Sequence, residues 1–300
     1  MERILNYTVE PEFNDEKVMV VLKRHFKMST SLIKELRLTP DGLTLNSEHI
    51  RTVDTVKSGD VIRITMHDKP SENITPVNIP IDVVYEDEDI LIVNKPPNMP
   101  THISVGNYEN SLANAVMYHY LSNGEEHLFR AVNRLDKDTS GIMAVAKNSY
   151  AHARLADEIA IGELRRKYIC VVCGDIAEDG TVNAPIARKE GSAIERCVSE
   201  DGQEAVTHYK VIDRLVDYTV LEMSLETGRT HHIRVHMAHI GHPLAGDWLY
   251  GEENKALVPR QMLHSHYIRF IHPISGEIME FTSKIPPDME EFIKKVKQKH

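Results

Sequence analysis

The segment Asn133-Arg134-Leu135-Asp136-Lys137-Asp138-Thr139-Ser140-Gly141 puts two carboxylates, two cations, two hydroxyls and a glycine into one short stretch. A carboxylate among cations can attack covalently or stabilise a developing positive charge. Apolar runs at 129–132 and 142–146 read as short buried strands, so the polar segment is a connection held between them. Charged side chains on a loop carried by rigid strands are well placed for chemistry. Asp, Thr, Ser and Gly also build ordinary solvated turns. The rest of the chain decides between these readings.

Other segments carry similar concentrations of polar residues. They are Val93-Asn94-Lys95-Pro96-Pro97-Asn98-Met99-Pro100-Thr101-His102, Arg166-Lys167-Tyr168, and Glu226-Thr227-Gly228-Arg229-Thr230-His231-His232-Ile233-Arg234-Val235-His236. Gly241-His242-Pro243-Leu244-Ala245-Gly246-Asp247-Trp248-Leu249-Tyr250-Gly251 follows, then Leu263-His264-Ser265 and Phe270-Ile271-His272-Pro273. Together with the first loop, and in this order, they resemble the motifs of the RluA-type RNA pseudouridine synthases over most of residues 80–285. The loop matches Arg-Leu-Asp-x-Asp-Thr-Ser-Gly without a gap, with Asn133 where the family pattern has His. Asn98 stands in place of a Gly, and Asn also tolerates positive φ. His232 stands in place of a Gln.

The resemblance implies an α+β catalytic fold with a mixed, mostly antiparallel sheet and a central cleft. It implies isomerisation of uridine to pseudouridine in structured RNA, either large-subunit ribosomal RNA or transfer RNA. That reaction breaks the N1–C1′ bond, rotates the base and joins C5 to C1′. Nothing is oxidised and no group is imported, so no cofactor is expected. Asp136 falls on the family's catalytic Asp, Tyr168 on its active-site Tyr, and Arg234 on the buried Arg that pairs with the Asp. Arg134, Arg229, His102 and Lys95 are expected to bind substrate. Arg134 either fills the space left by an extruded base, holds the adjacent phosphate, or forms a salt bridge with Asp138.

Composition is compatible with this. The 300 residues are 41% hydrophobic and 27% charged, ordinary for a globular protein. No apolar run approaches the roughly twenty residues that span a bilayer. The N-terminus does not read as a secretory signal, and Cys170, Cys173 and Cys197 do not suggest a disulfide framework. A cytoplasmic, monomeric enzyme without an obligate protein partner is expected. The net charge of −10 argues against RNA binding at first sight. Residues 1–70 are charge-balanced, however, so the acidic excess lies beyond them. A polyanion also reads a local patch, not the whole-chain charge.

Those first 70 residues read as a separate small unit, with a proline-containing linker at 71–80 and a catalytic domain at 81–300. Helical spacing appears over 15–26, and Ser29 is a candidate N-cap for a second helix. Turns at 40–42 and 57–60 each lead into a strand. This pattern loosely resembles an S4-like RNA-binding module, in which Lys23, Arg24, Lys27, Lys34 and Arg37 would face phosphate.

Two rival readings differ in class. A catalytically silent RNA-binding protein or chaperone would use the same fold as a clamp. A metal-dependent hydrolase would rest on the 17 histidines, above all His231, His232 and His236. No HExxH pattern occurs, and Arg234 in the middle of that run would repel a cation, so no metal is expected. No phosphate-binding glycine loop or dinucleotide fingerprint appears.

Overall fold

A computed structural model describes residues 2–67, 73–104, 106–251 and 258–298. The described residues form a four-stranded and a ten-stranded sheet with separate cores, and a two-stranded ribbon apart from both. In the first, β1 (Glu2–Thr8), α1 (Val18–Arg24), α2 (Thr30–Leu38), β2 (Leu43–Leu45), β3 (Glu48–His49) and β4 (Val61–His67) follow one another. The sheet order is β1-β4-β2-β3. Ser29 caps α2 by accepting from the Leu32 N–H. Strand β1 is an addition to the sequence reading; it pairs with β4 along its full length, from Glu2–His67 to Thr8–Val61. Val18, Val21, Leu22, Leu32, Ile33 and Leu36 pack from the two helices onto Ile62 and Ile64.

Arg3 and Tyr150 tie this unit to the rest, and Arg3 also pairs with Glu88 at 2.7 Å. The Arg3 guanidinium donates twice to the Asp89 carboxylate, at 2.8 Å each, and the Tyr150 hydroxyl donates to the Phe26 carbonyl at 2.8 Å. The expected linker falls partly on residues 71–72, outside the described residues. Its described part is pinned: Asn114 donates to the Thr75 carbonyl at 2.8 Å, and the Val77 N–H donates to the Asn114 carbonyl.

The larger unit is strand-rich. Its elements are β5 (Asp82–Glu86), β6 (Ile90–Lys95), α3 (Leu112–Ser122), β7 (Arg130–Ala131), β8 (Ser140–Ala146), α4 (Ser149–Ile161) and β9 (Arg165–Cys173). After them come β10 (Gly180–Asn183), β11 (Ile186–Arg188), β12 (Arg196–Val198), β13 (Val206–Arg214), β14 (Tyr218–Leu225), α5 (His232–His239), β15 (Leu263–Ile271), β16 (Ile278–Thr282) and α6 (Pro287–Lys297). The main sheet runs β10-β13-β14-β9-β15-β8-β6-β5, with β16 added to β15 and β7 to β8. Among its named pairs only β15–β8 is parallel, so the mixed, mostly antiparallel sheet is as expected.

That parallel pair explains the glycine that closes the polar loop. Gly141 has φ +117° and lies against Ser265; a Cβ there would stand 2.1 Å from the Ser265 carbonyl oxygen. Only glycine lets the two strands approach so closely in this backbone conformation. Strand β8 is buried along its whole length, which fixes the end of the loop that carries Asp136.

Candidate active site

The polar loop is held by its backbone, which leaves its side chains free to act. Thr101 Oγ1 donates to the Leu135 carbonyl at 2.8 Å, and Asn133 Oδ1 accepts from the Ala144 N–H at 3.0 Å. The Met99 N–H donates to the Lys137 carbonyl at 3.0 Å. Asn98, with φ +58°, occupies the left-handed region there, as its place in the motif implies. Arg260 donates to the Asp138 carbonyl at 2.9 Å while its other nitrogens engage Asp288.

Lys95 takes part in this clamp, which corrects its expected role. It is only 1% exposed. Its ammonium donates to the carbonyls of Pro96, Met99 and Lys137 at 2.8, 2.7 and 3.1 Å. All three protons are committed to the protein, so none is left for substrate. Burial pushes the Lys95 amine down to about 7, opposed by the nearby charge of Asp138.

Asp136 is half-buried at the cleft, and Arg234 Nη1 donates to its Oδ2 at 3.2 Å. The better half of the Arg234 fork points elsewhere. Its Nε and Nη2 donate to Asp247 at 2.7 and 2.8 Å, a bidentate pair in which Asp247 is fully buried. Asp247 also accepts from the backbone N–H groups of Leu249 and Tyr250. Burial works against the Arg234 charge, but Asp247 and then Asp136 outweigh it and raise its proton affinity. A single guanidinium thus stands between two carboxylates: one locks it and the other faces the cleft.

Tyr250 completes the support. Its ring lies under Arg234, 5.1 Å from guanidinium carbon to ring centre. Its hydroxyl accepts from the Arg196 N–H at 2.8 Å and lies 2.8 Å from His231 Nδ1. Burial pushes His231 down, so its ring is neutral at neutral pH. Its other ring nitrogen, Nε2, lies 4.0 Å from Asp136 Oδ2. His231 itself has φ +57°, an uncommon conformation for a non-glycine residue and one that recurs at functional sites.

The cleft around Asp136 is lined by Arg134, Leu135, Thr139, Tyr168, Leu225, Arg229, His231, His232, Ile233, Arg234 and Leu263. Tyr168 is buried on β9; burial pushes its phenol up, and the Asp136 charge adds to this. Arg229 spends Nε on the Glu204 carbonyl at 3.0 Å and keeps its terminal nitrogens. Arg134 is exposed at the mouth and forms no ion pair with Asp138 among the described residues, so that alternative is set aside. His102 lies outside this lining. It is exposed, with its ring edge-on to Phe129 at 5.4 Å.

The histidine run does not assemble ligands. His236 spends Nδ1 on Thr207 and Nε2 on the Ala184 carbonyl, at 2.9 and 2.8 Å. Asp87, Asp89 and His272 do lie within metal-ligand reach of one another. Protein donors already occupy that group: Arg3 and Asn148 on Asp89, Tyr85 and His272 on Asp87. Sequence reasoning missed Asp247, Tyr250, His231 and Arg260. The first three stand inside motif segments already noted, where an acid and a Tyr close to an Arg-bearing helix were the available signal.

A carboxylate held beside a locked guanidinium, next to a buried aromatic ring, defines a site built for a flat substrate that develops positive charge. Comparison with known proteins agrees. A profile of the RNA pseudouridylate synthase family matches residues 89–239. The chain is 41% identical over 269 residues to the uncharacterized RNA pseudouridine synthase YjbO of Bacillus subtilis (strain 168), covering 89% of this chain and 95% of that one. It is 38% identical over 278 residues to the ribosomal large subunit pseudouridine synthase D of Escherichia coli (strain K12), covering 88% and 85%. The solved structure of human RNA pseudouridylate synthase domain containing 1 superposes with a TM-score of 0.59 at 26% identity, over 71% of this chain and 87% of that one. The chain belongs to the RNA pseudouridylate synthase family. It is an enzyme that isomerises uridine to pseudouridine in RNA.

Proposed function

We propose that the substrate is large-subunit ribosomal RNA and that Asp136 acts on C1′ of an extruded uridine. The observation that carries the second part is the Arg234 bridge, which sets one free carboxylate oxygen face into the cleft beside Tyr168. The ribosomal assignment rests on relatives with that printed substrate, at 35–42% identity. Transfer RNA is the alternative outcome of the test.

In this reading the N1–C1′ bond breaks with its electron pair leaving on N1. Asp136 either bonds to C1′ or balances its positive charge. The base rotates, C5 bonds to C1′, H5 is lost and N1 gains a proton, so the atoms balance without a cofactor. Tyr168 offers its ring face to the uracil, since every unstacked base presents a π-surface. Its raised phenol is un-ionised at neutral pH, which suits stacking and not a phenolate base. Arg134 at the mouth fills the stack or meets phosphate when the uridine leaves it, a step costing a few kcal/mol. Arg229 contacts substrate beside it, and His102 acts at the outer rim. The unit at 1–70, with the linker at 71–80, docks RNA ahead of the catalytic domain at 81–300. Its exposed Lys23, Arg24, Lys27, Lys34 and Arg37 face phosphate. The working form in this reading is a cytoplasmic monomer. No helix among the described residues is long and apolar enough to cross a membrane.

The test is pseudouridine mapping in total RNA from cells with and without this protein, followed by tritium release from 5-tritiated uridine in the mapped RNA. Loss of one or more large-subunit sites is expected. Loss confined to transfer RNA would reassign the substrate. An unchanged map, with no tritium released by the purified protein, would overturn the reading.

A further inference from the structure

Three arginines are buried among the described residues: Arg166, Arg234 and Arg260. Arg234 is saturated by Asp247 and Asp136, and Arg260 by Asp288 and three carbonyls. Arg166 differs. It is 7% exposed, yet its guanidinium has no hydrogen-bond or ion-pair partner among the described residues, and its Nε is buried and unsatisfied. A buried charge without a partner is unfavourable unless something outside the chain completes it.

The surroundings say what is missing. Arg166 lies two residues before Tyr168 on β9, so both side chains share one face of that strand. The loop from β14 to α5 crosses above it. A Cβ on Gly228 would stand 3.3 Å from Arg166 Nη1, so glycine lets that backbone lie over the guanidinium. In the same loop Thr227 Oγ1 is buried without a partner. The His232 ring interacts with the Thr227 backbone and meets the His236 ring edge-on at 4.6 Å, and it lies within electrostatic reach of Arg166 and Arg229. Glu226, the acid of this segment, pairs with His208 instead, at 2.7 Å. Arg166 and Arg229 thus lie within electrostatic reach of one neutral imidazole, with the unpartnered Thr227 hydroxyl in the same loop; Arg166 lines the cavity next to the Asp136 cleft, whose one carboxylate, Glu226, is already paired with His208.

We infer that Arg166 and Arg229 together bind a phosphodiester of the RNA strand, the one adjoining the uridine seated at Asp136. Thr227 and His232 supply the neutral edge of this subsite. Guanidinium suits the role because its planar fork matches phosphate oxygens. Arg166 meets the phosphate and does not touch the reacting atoms. It holds the strand in register so that C1′ lies over Asp136. The inference rests on the RNA reading above.

A stem–loop transcribed around the mapped uridine is the probe. It is compared with the same stem–loop carrying a single neutral methylphosphonate at each linkage flanking that uridine. For the wild-type protein, one neutral linkage should weaken binding about tenfold, the size expected for a charge-assisted hydrogen bond. Arg166→Met should weaken binding of the unmodified stem–loop by a similar factor. It should also flatten the log–log salt slope by about 0.7, the value for one single-strand phosphate. In Arg166→Met, the sensitive linkage should have no further effect. Arg166→Lys should keep the salt slope and recover part of the affinity. If no flanking linkage matters to the wild-type protein, or if mutation and neutral linkage weaken binding independently, the subsite is overturned. The wild-type linkage scan decides even where Arg166→Met fails to fold. Tritium release by the wild-type protein separates the two failures. An active enzyme with no sensitive linkage sinks the subsite alone, whereas an inactive one sinks the RNA reading beneath it.

Discussion

The cations of the N-terminal unit and those of the cleft are the same residue types put to opposite uses. Lys27, Lys34 and Arg37 stand exposed on or beside α1 and α2, with no carboxylate partner among the described residues. Lys23 and Arg24, equally exposed, are partly committed: Lys23 donates to the Met28 carbonyl and Thr30, and Arg24 lies over the Phe13 ring. Water solvates such charges, so they contribute a field in which no single residue is decisive. In the cleft, Arg234 has each half of its fork assigned to a different carboxylate. Burial raises the cost of every misplaced charge there, so geometry and not net charge governs function.

Breaking the cleft side of this contrast should do the most damage. Arg234→Met strands the fully buried Asp247 and removes the cation beside Asp136. Losing one partner of a buried ion pair costs about 3–5 kcal/mol. Turnover should fall by at least about a hundredfold and the melting temperature should drop. Arg234→Lys should rescue only partly, because the bidentate contact to Asp247 needs the planar fork. Single-turnover kinetics with melting curves check this; near wild-type values for both would make Arg234 dispensable.

A second consequence concerns acid. Burial is the main cause that pushes His232 down to about 3 and His264 to about 4, from an ordinary 6.5. In the unfolded chain both rings take a proton near 6.5; in the folded chain they refuse it. Below 6.5 the unfolded state therefore binds more protons, and stability falls as the pH is lowered. The contribution is complete above about pH 7.5 and is lost as pH drops from about 6.5 to about 4 for His264 and about 3 for His232. Each tenfold loss of proton affinity is worth about 1.4 kcal/mol, so the two rings together weaken the fold by several kcal/mol, on the order of 8 at most, in strong acid. His232→Gln should flatten that slope in melting curves taken between pH 4 and 8. A wild-type melting temperature independent of pH in that range would show that these rings are not held neutral by the fold.

The exposed side should yield the mildest phenotype. Changing Lys27, Lys34 and Arg37 together to Gln should weaken RNA binding and flatten its log–log salt slope by about two units, 0.7 per lost contact. The rate of the bound complex should not change. Unaltered affinity would deny the N-terminal unit any part in docking RNA.

What could be read in the sequence was local. The loop around Asp136, the strand of Tyr168 and the helix of Arg234 are contiguous segments, and their residue types and order pointed to the cleft. The α+β class followed from the family resemblance that those motifs carry. What could not be read depends on pairs far apart in the chain. Arg260 meets the Asp138 carbonyl across 122 positions, and Arg3 reaches Asp89 across 86. Lys95 was expected to bind substrate because it stands in a segment that resembles a family motif. Only burial shows that its three protons are already spent on carbonyls. Strand β1 carries a weak signal because its pattern is polar and apolar in nearly equal measure, and it becomes a strand by pairing with β4. Asp247 was visible inside a motif, but its tie to Arg234 exists only once α5 is packed.

In the proposed mechanism Asp136 supplies the charge that acts on C1′, while Arg234 and Asp247 only hold it in place. Tritium release by Asp136→Asn, an amide of the same shape without the charge, isolates that charge from everything around it. The substrate is RNA from cells lacking the protein. Because Asp136 makes one 3.2 Å contact to Arg234 while Asp247 keeps that guanidinium locked, fold and RNA affinity should survive the change. Release should be indistinguishable from the blank, with binding within about threefold of wild type, well under one charge-assisted hydrogen bond. Release near the wild-type rate would contradict this mechanism and would move the nucleophile to another residue of the cleft.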